Sequence, residues 1–306
     1  MTAHTGELQV AVFGRSVFIG SPMLRQRVVT AIILLALLLP ALFYTDPTPF
    51  IFLILVFLAA GAWEWGRLNQ LSQANSLLTA VVCLALCGIT WGAGGVSKEV
   101  DFLWVSGGLA WVIAGFVVLA RGVAGWNRIP SALRWLVGIV FLWLAWLAVA
   151  QARSVGHNFL LSVLALVWVA DVGAYFFGRA LGGRFVKGKL APSISPGKSW
   201  EGVWGGMLCV FLFGVGWVWV DQTFVLDSPS LFSQLYRAGI PWFVGGTILL
   251  AAMSVVGDLV ESLVKRNAQV KDSSALLPGH GGVLDRIDAI LPTLPLALML
   301  SVLTNS

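Results

Sequence analysis

The chain has 306 residues, of which 58% are hydrophobic and only 11% are charged, with three Cys and a formal net charge of +5. Soluble globular domains carry about 25% charged residues, disordered chains are poor in apolar residues and disulfide scaffolds are rich in Cys, so all three classes are excluded. A membrane-spanning helix takes about 20 mostly apolar residues, so about nine such helices fit this length and leave no room for a large soluble domain.

Apolar runs bounded by charges, Pro and Gly predict an all-α, polytopic integral membrane protein with about nine transmembrane helices. The predicted spans cover residues 28–44, 49–65, 76–93, 102–120, 133–150, 159–178, 203–220, 240–260 and 289–303. Cytoplasmic loops collect Lys and Arg. With a cytoplasmic N-terminus, 16 of the 19 basic residues fall on the cytoplasmic side and the C-terminus lies outside. The basic excess is thus explained by membrane topology, and no nucleic-acid partner is expected.

The first 22 residues lack the apolar core of a secretory signal, whereas Met23 leads almost directly into an apolar run. We expect residues 1–22 to be a disordered N-terminal extension or a misassigned start. Ionisable residues are nearly absent from the spans before Asn158 and concentrate after it. Residues 23–157 are therefore predicted to be a scaffold of about five helices, and residues 158–306 a catalytic region of about four.

Two predicted spans carry polar stripes at helical spacing, and a charged side chain in the hydrocarbon core indicates a functional site. The stripes are Trp168, Asp171, Tyr175 and Arg179 on the sixth span, and Ser254, Asp258, Glu261, Ser262 and Lys265 on the eighth. Both lie toward the cytoplasm, where they can line one cavity. Alternatively, Asp171 merely neutralises Arg179 along its helix. Glu261 and Lys265 would do the same, but Asp258 would then need another partner, such as a metal cation.

The loop over residues 179–202 is basic and rich in Gly and Ser, and includes Ser195, Lys198, Ser199 and Glu201. Lys, Arg, hydroxyls and backbone N–H groups suit phosphate. An ordinary basic loop resting on anionic lipid headgroups is the alternative. The residue order does not match a P-loop.

The segment over residues 262–288 places acidic groups beside basic ones at the predicted membrane surface. His280, Gly281 and Gly282 offer backbone that can wrap an oxyanion, and Asp285 and Asp288 follow at the start of the last span. Mg²⁺ usually takes one or two carboxylates plus phosphate oxygens, so the segment predicts a metal-bridged polyphosphate. For His280, binding phosphate or orienting the loop is expected at least as much as proton transfer.

The same segment resembles the hallmark sequence of the phosphatidate cytidylyltransferases, also called CDP-diacylglycerol synthases, and matches every specified position. The matching residues run Ser262-Leu-Val-Lys265-Arg266, then four residues, then Lys271-Asp272 through His280-Gly281-Gly282 to Asp285-Arg286-Ile-Asp288. The resemblance extends to Trp168-x-x-Asp171, to Gly257-Asp258 and to Ser195-Pro-x-Lys198-Ser199-Trp-Glu201. Ser199 stands where that family commonly has Thr, which keeps the hydroxyl.

The resemblance implies that CTP and phosphatidate react to give CDP-diacylglycerol and pyrophosphate in phospholipid biosynthesis, at a cytoplasm-facing site of the plasma membrane, the inner membrane in a Gram-negative cell. It implies a divalent metal, Mg²⁺ or Mn²⁺, while an assisting monovalent cation and a homodimer stay open. The implied metal ligands are Asp258 and Asp285, with Asp171 and Asp288 as weaker candidates. The implied catalytic residues are Asp258, Asp285, Lys265, Arg266 and His280. The implied substrate-binding residues are Ser195, Lys198, Ser199, Glu201, Ser262, Lys271, Gly281, Gly282 and Arg286.

Three other functions compete with this interpretation. A cation-coupled transporter also has intramembrane carboxylates, although its site usually lies near the midplane rather than on one side. A cytidylyltransferase that acts on another lipid phosphate, such as an ether-linked archaeal one, is closer to the phosphatidate cytidylyltransferase interpretation. A CDP-alcohol phosphotransferase is disfavoured because its Asp-Gly-x-x-Ala-Arg opening is absent.

Overall fold

The computed structural model describes residues 9–12, 15–18, 22–98 and 100–305. Nine helical segments in these ranges are long and apolar enough to cross a membrane, which confirms the predicted all-α polytopic class. The helices are α1 (Pro22–Phe43), α2 (Thr48–Leu68), α3 (Gln73–Gly92), α4 (Asp101–Trp126), α5 (Ser131–Val155), α6 (His157–Leu181), α7 (Trp200–Thr223), α8 (Leu231–Ala238), α9 (Ile240–Asn267), α10 (Leu284–Ile287) and α11 (Ile290–Asn305). The strands are β1 (Gln9–Val12), β2 (Arg15–Phe18), β3 (Lys189–Ala191) and β4 (Ser195–Ser199).

The N-terminal segment contains an antiparallel hairpin of β1 and β2, with Val10 opposite Val17. The rest of residues 1–21 lies outside the described residues, so the predicted disordered extension or misassigned start stays a prediction. The predicted cytoplasmic N-terminus also stays a prediction.

The helices that carry the polar stripes are longer than their predicted spans. α9 continues to Asn267, whereas the apolar run predicts an end near residue 260. α6 similarly continues to Leu181. Hydropathy detects only the part of a helix that matches hydrocarbon, so it misses the polar last turns, which are the turns nearest the site.

α6 and α7 form a close helix pair because small residues line their contact. A Cβ on Gly202 would lie 2.8 Å from the carbonyl oxygen of Ala174, and one on Gly206 would lie 2.8 Å from that of Ala170. Close backbone approach through small residues is typical of helix pairs in membranes. This pairing fixes the basic loop between the two helices beside the end of α6.

The start of α6 is held by the loop that precedes α8. The Asp227 carboxylate accepts hydrogen bonds from the backbone N–H groups of His157 and Asn158, the latter at 3.0 Å. Burial by itself would raise the pKa of Asp227, but these bonds and the nearby His157 ring hold the pKa below its ordinary value. A carboxylate at a helix N-terminus satisfies N–H groups that have no helical partner.

α11 occupies the centre of the bundle and is buried along residues 292–300. It packs against α4 and α5 as well as α9. A helix that is apolar on every side is typical of such a central position. The predicted division into residues 23–157 and 158–306 stays a prediction, and helices from both parts share this core.

Candidate active site

A buried carboxylate on α2 holds the segment between α9 and α11, which we call the signature loop (residues 271–284). Glu64 is fully buried. Its carboxylate accepts hydrogen bonds from the Ser273 hydroxyl at 3.0 Å, the Ser274 hydroxyl at 2.5 Å, and the backbone N–H groups of Val283 at 2.9 Å and Leu284 at 2.7 Å. These four donors compensate the burial of the charge and join both ends of the loop.

The sequence patterns do not single out Glu64, because the near absence of charge from the spans before Asn158 predicts a scaffold. The available signal was its position as the single charged residue before Arg67 in an otherwise apolar helix. Intramembrane ionisable residues are functional candidates by default.

α1 contacts the same loop from the other side. The Arg27 Nε donates to the carbonyl oxygen of Gly279 at 2.9 Å, and the Thr30 hydroxyl donates to that of Pro278 at 2.9 Å. The first helix therefore also positions the signature loop.

Asp285 connects the signature loop to α9. One carboxylate oxygen accepts from Lys265 Nζ at 2.6 Å, and the other accepts from the backbone N–H groups of Ser273 at 2.9 Å and Gly282 at 2.8 Å. The Ser273 hydroxyl also lies 3.0 Å from this second oxygen, and its single proton is shared between Asp285 and Glu64. Both oxygens of Asp285 are thus engaged by the protein, while its assignment as a metal ligand stays a prediction.

Lys265 lies between two carboxylates, at 2.5 Å from Glu261 and 2.6 Å from Asp285. The alternative pairing of Glu261 with Lys265 along the helix is therefore present, but Lys265 also bridges to the loop. No ion pair joins Asp171 to Arg179 in the part of the chain that the structure describes; Arg179 instead donates to the Tyr175 hydroxyl at 2.9 Å.

Asp258 finds its partner on the β3–β4 hairpin. Lys198 Nζ lies 2.6 Å from one oxygen of Asp258, and the Ser262 hydroxyl donates to the other at 3.2 Å. Both Lys198 and Asp258 are partly exposed to solvent. The basic loop and the polar stripe of α9, predicted separately, thus meet at one point.

Two predicted substrate-binding residues of the hairpin region are engaged in local structure. The Ser199 hydroxyl accepts from the Gly202 backbone N–H at 3.2 Å, as an N-cap of α7. Glu201 accepts from the backbone N–H groups of Phe185 and Val186 at 3.0 and 2.9 Å. The structure thus shows these two side chains ordering the basic loop, and their contact with substrate stays a prediction.

Other predicted site residues lie on α9, on β4 and in the signature loop. Arg266 donates from Nε to the Ile194 carbonyl oxygen at 3.1 Å, while Lys271 is exposed and Ser195 half-buried. The His280 Nδ1 is buried and has no hydrogen-bond partner among the described residues. Its backbone N–H donates to the Leu277 carbonyl oxygen at 2.8 Å, which closes a turn of the signature loop.

Gly281 and Gly282 are needed for the tight path of this loop. Gly281 has a φ of 82°, and a Cβ there would lie 2.7 Å from an Asp285 oxygen. A Cβ on Gly282 would overlap both the Ser273 hydroxyl and the Glu64 carboxylate. Glycine is the residue that tolerates both the positive φ and the close approach.

Three carboxylates lie within electrostatic range of one another: Asp171 on α6, Asp258 on α9 and Asp288 between α10 and α11. Within the described ranges, no three His, Cys, Asp or Glu side chains converge closely enough to form a complete metal site. Mg²⁺ commonly takes only one or two carboxylates and completes its shell with phosphate oxygens and water. An all-oxygen set with concentrated negative charge therefore fits a hard divalent cation.

Comparison with known proteins places this chain in a family. The model of the cytidylyltransferase family matches residues 25–304. The phosphatidate cytidylyltransferase of Pseudomonas aeruginosa is 36% identical over 285 residues, covering 89% of this chain and 95% of that protein. Those of Haemophilus influenzae and Staphylococcus epidermidis are 34% and 33% identical, cover 89% and 92% of this chain, and match over 96% and 100% of their own lengths.

Proposed function

The chain belongs to the cytidylyltransferase family, and we propose that it transfers the cytidylyl group of CTP to phosphatidate, giving CDP-diacylglycerol and pyrophosphate. The observation that supports this proposal most directly is the ion pair between Lys198 and Asp258, at 2.6 Å. It joins a basic loop suited to phosphates to a helix whose carboxylates suit a divalent cation. We propose further that the site faces the cytoplasm and that the membrane is the plasma membrane.

In the proposed reaction, a phosphate oxygen of phosphatidate attacks the α-phosphorus of CTP. The bond from that phosphorus to the oxygen bridging the β-phosphate breaks, and pyrophosphate leaves with the electron pair. Phosphoryl chemistry depends mainly on positioning and charge neutralisation. Because the lipid phosphate is already anionic, neither a covalent protein nucleophile nor a general base is required.

Basic residues of the candidate site would neutralise the phosphates. Lys198, Lys271 and Arg286 lie on three different segments, so they can contact different phosphate groups of the two substrates. Lys265 is held by Glu261 and Asp285, and we assign it to fixing the geometry of α9 and the signature loop.

Asp258 and Asp288 are the residues that we propose to hold Mg²⁺, with Asp171 beside them. When bound, the cation would supply positive charge that polarises the phosphate groups and stabilises the leaving pyrophosphate. We place Asp285 outside this set because its side chain is only 4% exposed and is held by Lys265, Ser273 and Gly282, whereas that of Asp258 is 34% exposed and open to a cation from solvent.

The proposal is tested by incubating the purified full chain with radiolabelled CTP, phosphatidate and Mg²⁺, and measuring cytidine that becomes soluble in chloroform. We expect a labelled lipid product, which disappears when EDTA removes the metal and returns when Mg²⁺ is added in excess. A folded protein that yields no such product with any of several lipid phosphates would contradict the proposed function and favour a transporter. A product formed only from an ether-linked lipid phosphate would support cytidylyl transfer but contradict phosphatidate as the lipid substrate.

Asp258→Asn provides the matched test of the site. The amide cannot replace the carboxylate as a metal ligand or as the partner of Lys198, so we expect turnover to fall by about 100-fold or more, equivalent to roughly 2.7 kcal/mol of transition-state stabilisation. Asp101→Asn is the control, because Asp101 is exposed at the opposite end of the bundle, at the start of α4. Equal turnover in the two variants would remove Asp258 from the mechanism.

A further inference from the structure

An apolar groove of about 300 Å³ lies between α1, α2, α5 and α6. Its walls include Leu38 of α1, Phe57 of α2, Trp146 of α5 and Leu161 of α6. No residue of the proposed metal site lines it. The groove is therefore a feature separate from the carboxylate cluster, and its chemistry suits a hydrocarbon chain.

One end of the groove carries a single charged residue, Arg286. No ion pair of the Arg286 guanidinium occurs in the described part of the chain. The guanidinium lies within electrostatic range of Asp171 in the candidate active site. An unpaired guanidinium at the end of an apolar groove, next to a phosphate-transfer site, complements a ligand with an anionic head and an apolar tail.

The length of the groove also matches such a ligand. Along α1 its lining runs from Leu34 to Leu42, which is about 12 Å at the helical rise of about 1.5 Å per residue. One leaflet of the hydrocarbon core is about 15 Å thick. The lining of α1 begins one turn after Thr30, which bonds the signature loop. The groove thus extends from the site into the depth of one leaflet.

α1 separates the groove from the surrounding bilayer and is itself thinly packed. Only 6% of the residues in its apolar stretch are buried, compared with 39% for α2. Its specific polar contacts are those of Arg27 and Thr30 with the signature loop. A lipid can therefore approach this wall from the bilayer without crossing water.

We propose that this groove holds an acyl chain of the phosphatidate substrate, with Arg286 facing the lipid phosphate. The inference rests on the proposed function and specifies where its lipid substrate lies. Lipid tails are as apolar as leucine side chains, so the groove gains little from hydrophobic transfer and selects by shape and packing. Narrowing the groove should consequently discriminate against long acyl chains.

The test compares two adjacent leucines of α1 in the full-length protein. Leu38 lines the groove, whereas Leu37 does not and is 53% exposed on the helix surface. We expect Leu38→Trp to lower kcat/KM for dioleoyl phosphatidate by about tenfold through overpacking. The same variant should change kcat/KM for dioctanoyl phosphatidate much less and leave the KM for CTP unaltered. Leu37→Trp should behave as the unsubstituted protein with both lipids.

A photoreactive phosphatidate with a diazirine on its acyl chain provides a readout that needs no turnover. We expect crosslinks to map to α1 near Leu38 and to α6 near Leu161, and to be reduced by unlabelled phosphatidate and by Arg286→Gln. Two results would overturn this proposal. One is crosslinks spread evenly over exposed faces, such as that of Phe116, and the other is identical chain-length preferences in the two tryptophan variants. In either case, wild-type conversion of CTP to CDP-diacylglycerol would leave the proposed function intact.

Discussion

Glu64 illustrates how a single side chain can order a loop that is distant in sequence. Its carboxylate is separated by more than 200 residues from the four donors that it binds in the signature loop. Hydrogen bonds to a charged group are worth about 1.5–3 kcal/mol each, and an unsatisfied buried partner costs a similar amount. The loop that carries Gly281 and Gly282 and contacts Asp285 therefore depends on a residue of the second helix.

Replacement of Glu64 by Gln should loosen this loop. The amide group has only one acceptor oxygen, and its NH₂ would face backbone or hydroxyl donors, so we expect a loss of roughly 2–4 kcal/mol in the free energy of unfolding. Hydrogen exchange should increase over residues 273–284 more than elsewhere. The measurement is hydrogen–deuterium exchange combined with thermal unfolding in detergent.

Ser274→Ala is the graded comparison for this variant. It removes one of the four donors to Glu64 and leaves the carboxylate in place, so its effect should be smaller, at about 1 kcal/mol. Unchanged exchange over residues 273–284 in Glu64→Gln would show that the loop holds its conformation without the carboxylate.

At the scale of elements, the α6–α7 pair places the basic loop against the end of α9. The pairing depends on close contact at Gly202 and Gly206, and the loop is then joined to α9 by Lys198 with Asp258 and by Arg266 with Ile194. Small residues permit this approach because they allow the helix backbones to come within van der Waals contact. The position of the hairpin is thus a consequence of helix packing.

Gly206→Ala tests that dependence. The new Cβ would lie 2.8 Å from the Ala170 carbonyl oxygen, so the helices must separate, at a cost of about 1–3 kcal/mol for overpacking. Gly216→Ala on the same helix is the control, because a Cβ there has nothing within 4 Å. We expect a lower thermal midpoint for Gly206→Ala alone. Helix propensity alone would raise the midpoint in both variants, because Ala is a better helix former than Gly. An unchanged or higher midpoint for Gly206→Ala would therefore contradict the dependence on close packing.

At the scale of the whole molecule, the candidate site is concentrated at one end of the helical bundle. Its charged groups come from α2, α6, α9, the β3–β4 hairpin and the signature loop, although they form only a small share of a chain that is 58% hydrophobic. This arrangement would let a water-soluble nucleotide meet a lipid phosphate at the membrane surface. From the positive-inside preference of the basic loops, we propose that this end faces the cytoplasm.

Limited trypsin digestion of oriented membrane vesicles tests this topology. The segment from Arg184 to Lys189 is exposed apart from a half-buried Val186, and we place it in the cytoplasm. Inside-out vesicles should be cleaved there, and right-side-out vesicles should be protected until detergent is added. Fragments identified by mass spectrometry provide the readout, and cleavage only in right-side-out vesicles would reverse the proposed orientation.

The sequence by itself determined the helical membrane class, because span length and hydropathy are local properties. The family resemblance of its motifs also predicted that Asp258, Lys198 and Asp285 belong to one functional region. Three features were decided only by tertiary structure: the bonds of Glu64 to the signature loop, the engagement of Asp285 by Lys265, Ser273 and Gly282, and the groove beside Arg286. The first and third arise from contacts between segments far apart in the chain, whereas Asp285 is engaged by residues 3 to 20 positions away that the fold of the loop brings together. Such contacts depend on how helices pack, and the periodicity of any one helix does not specify them.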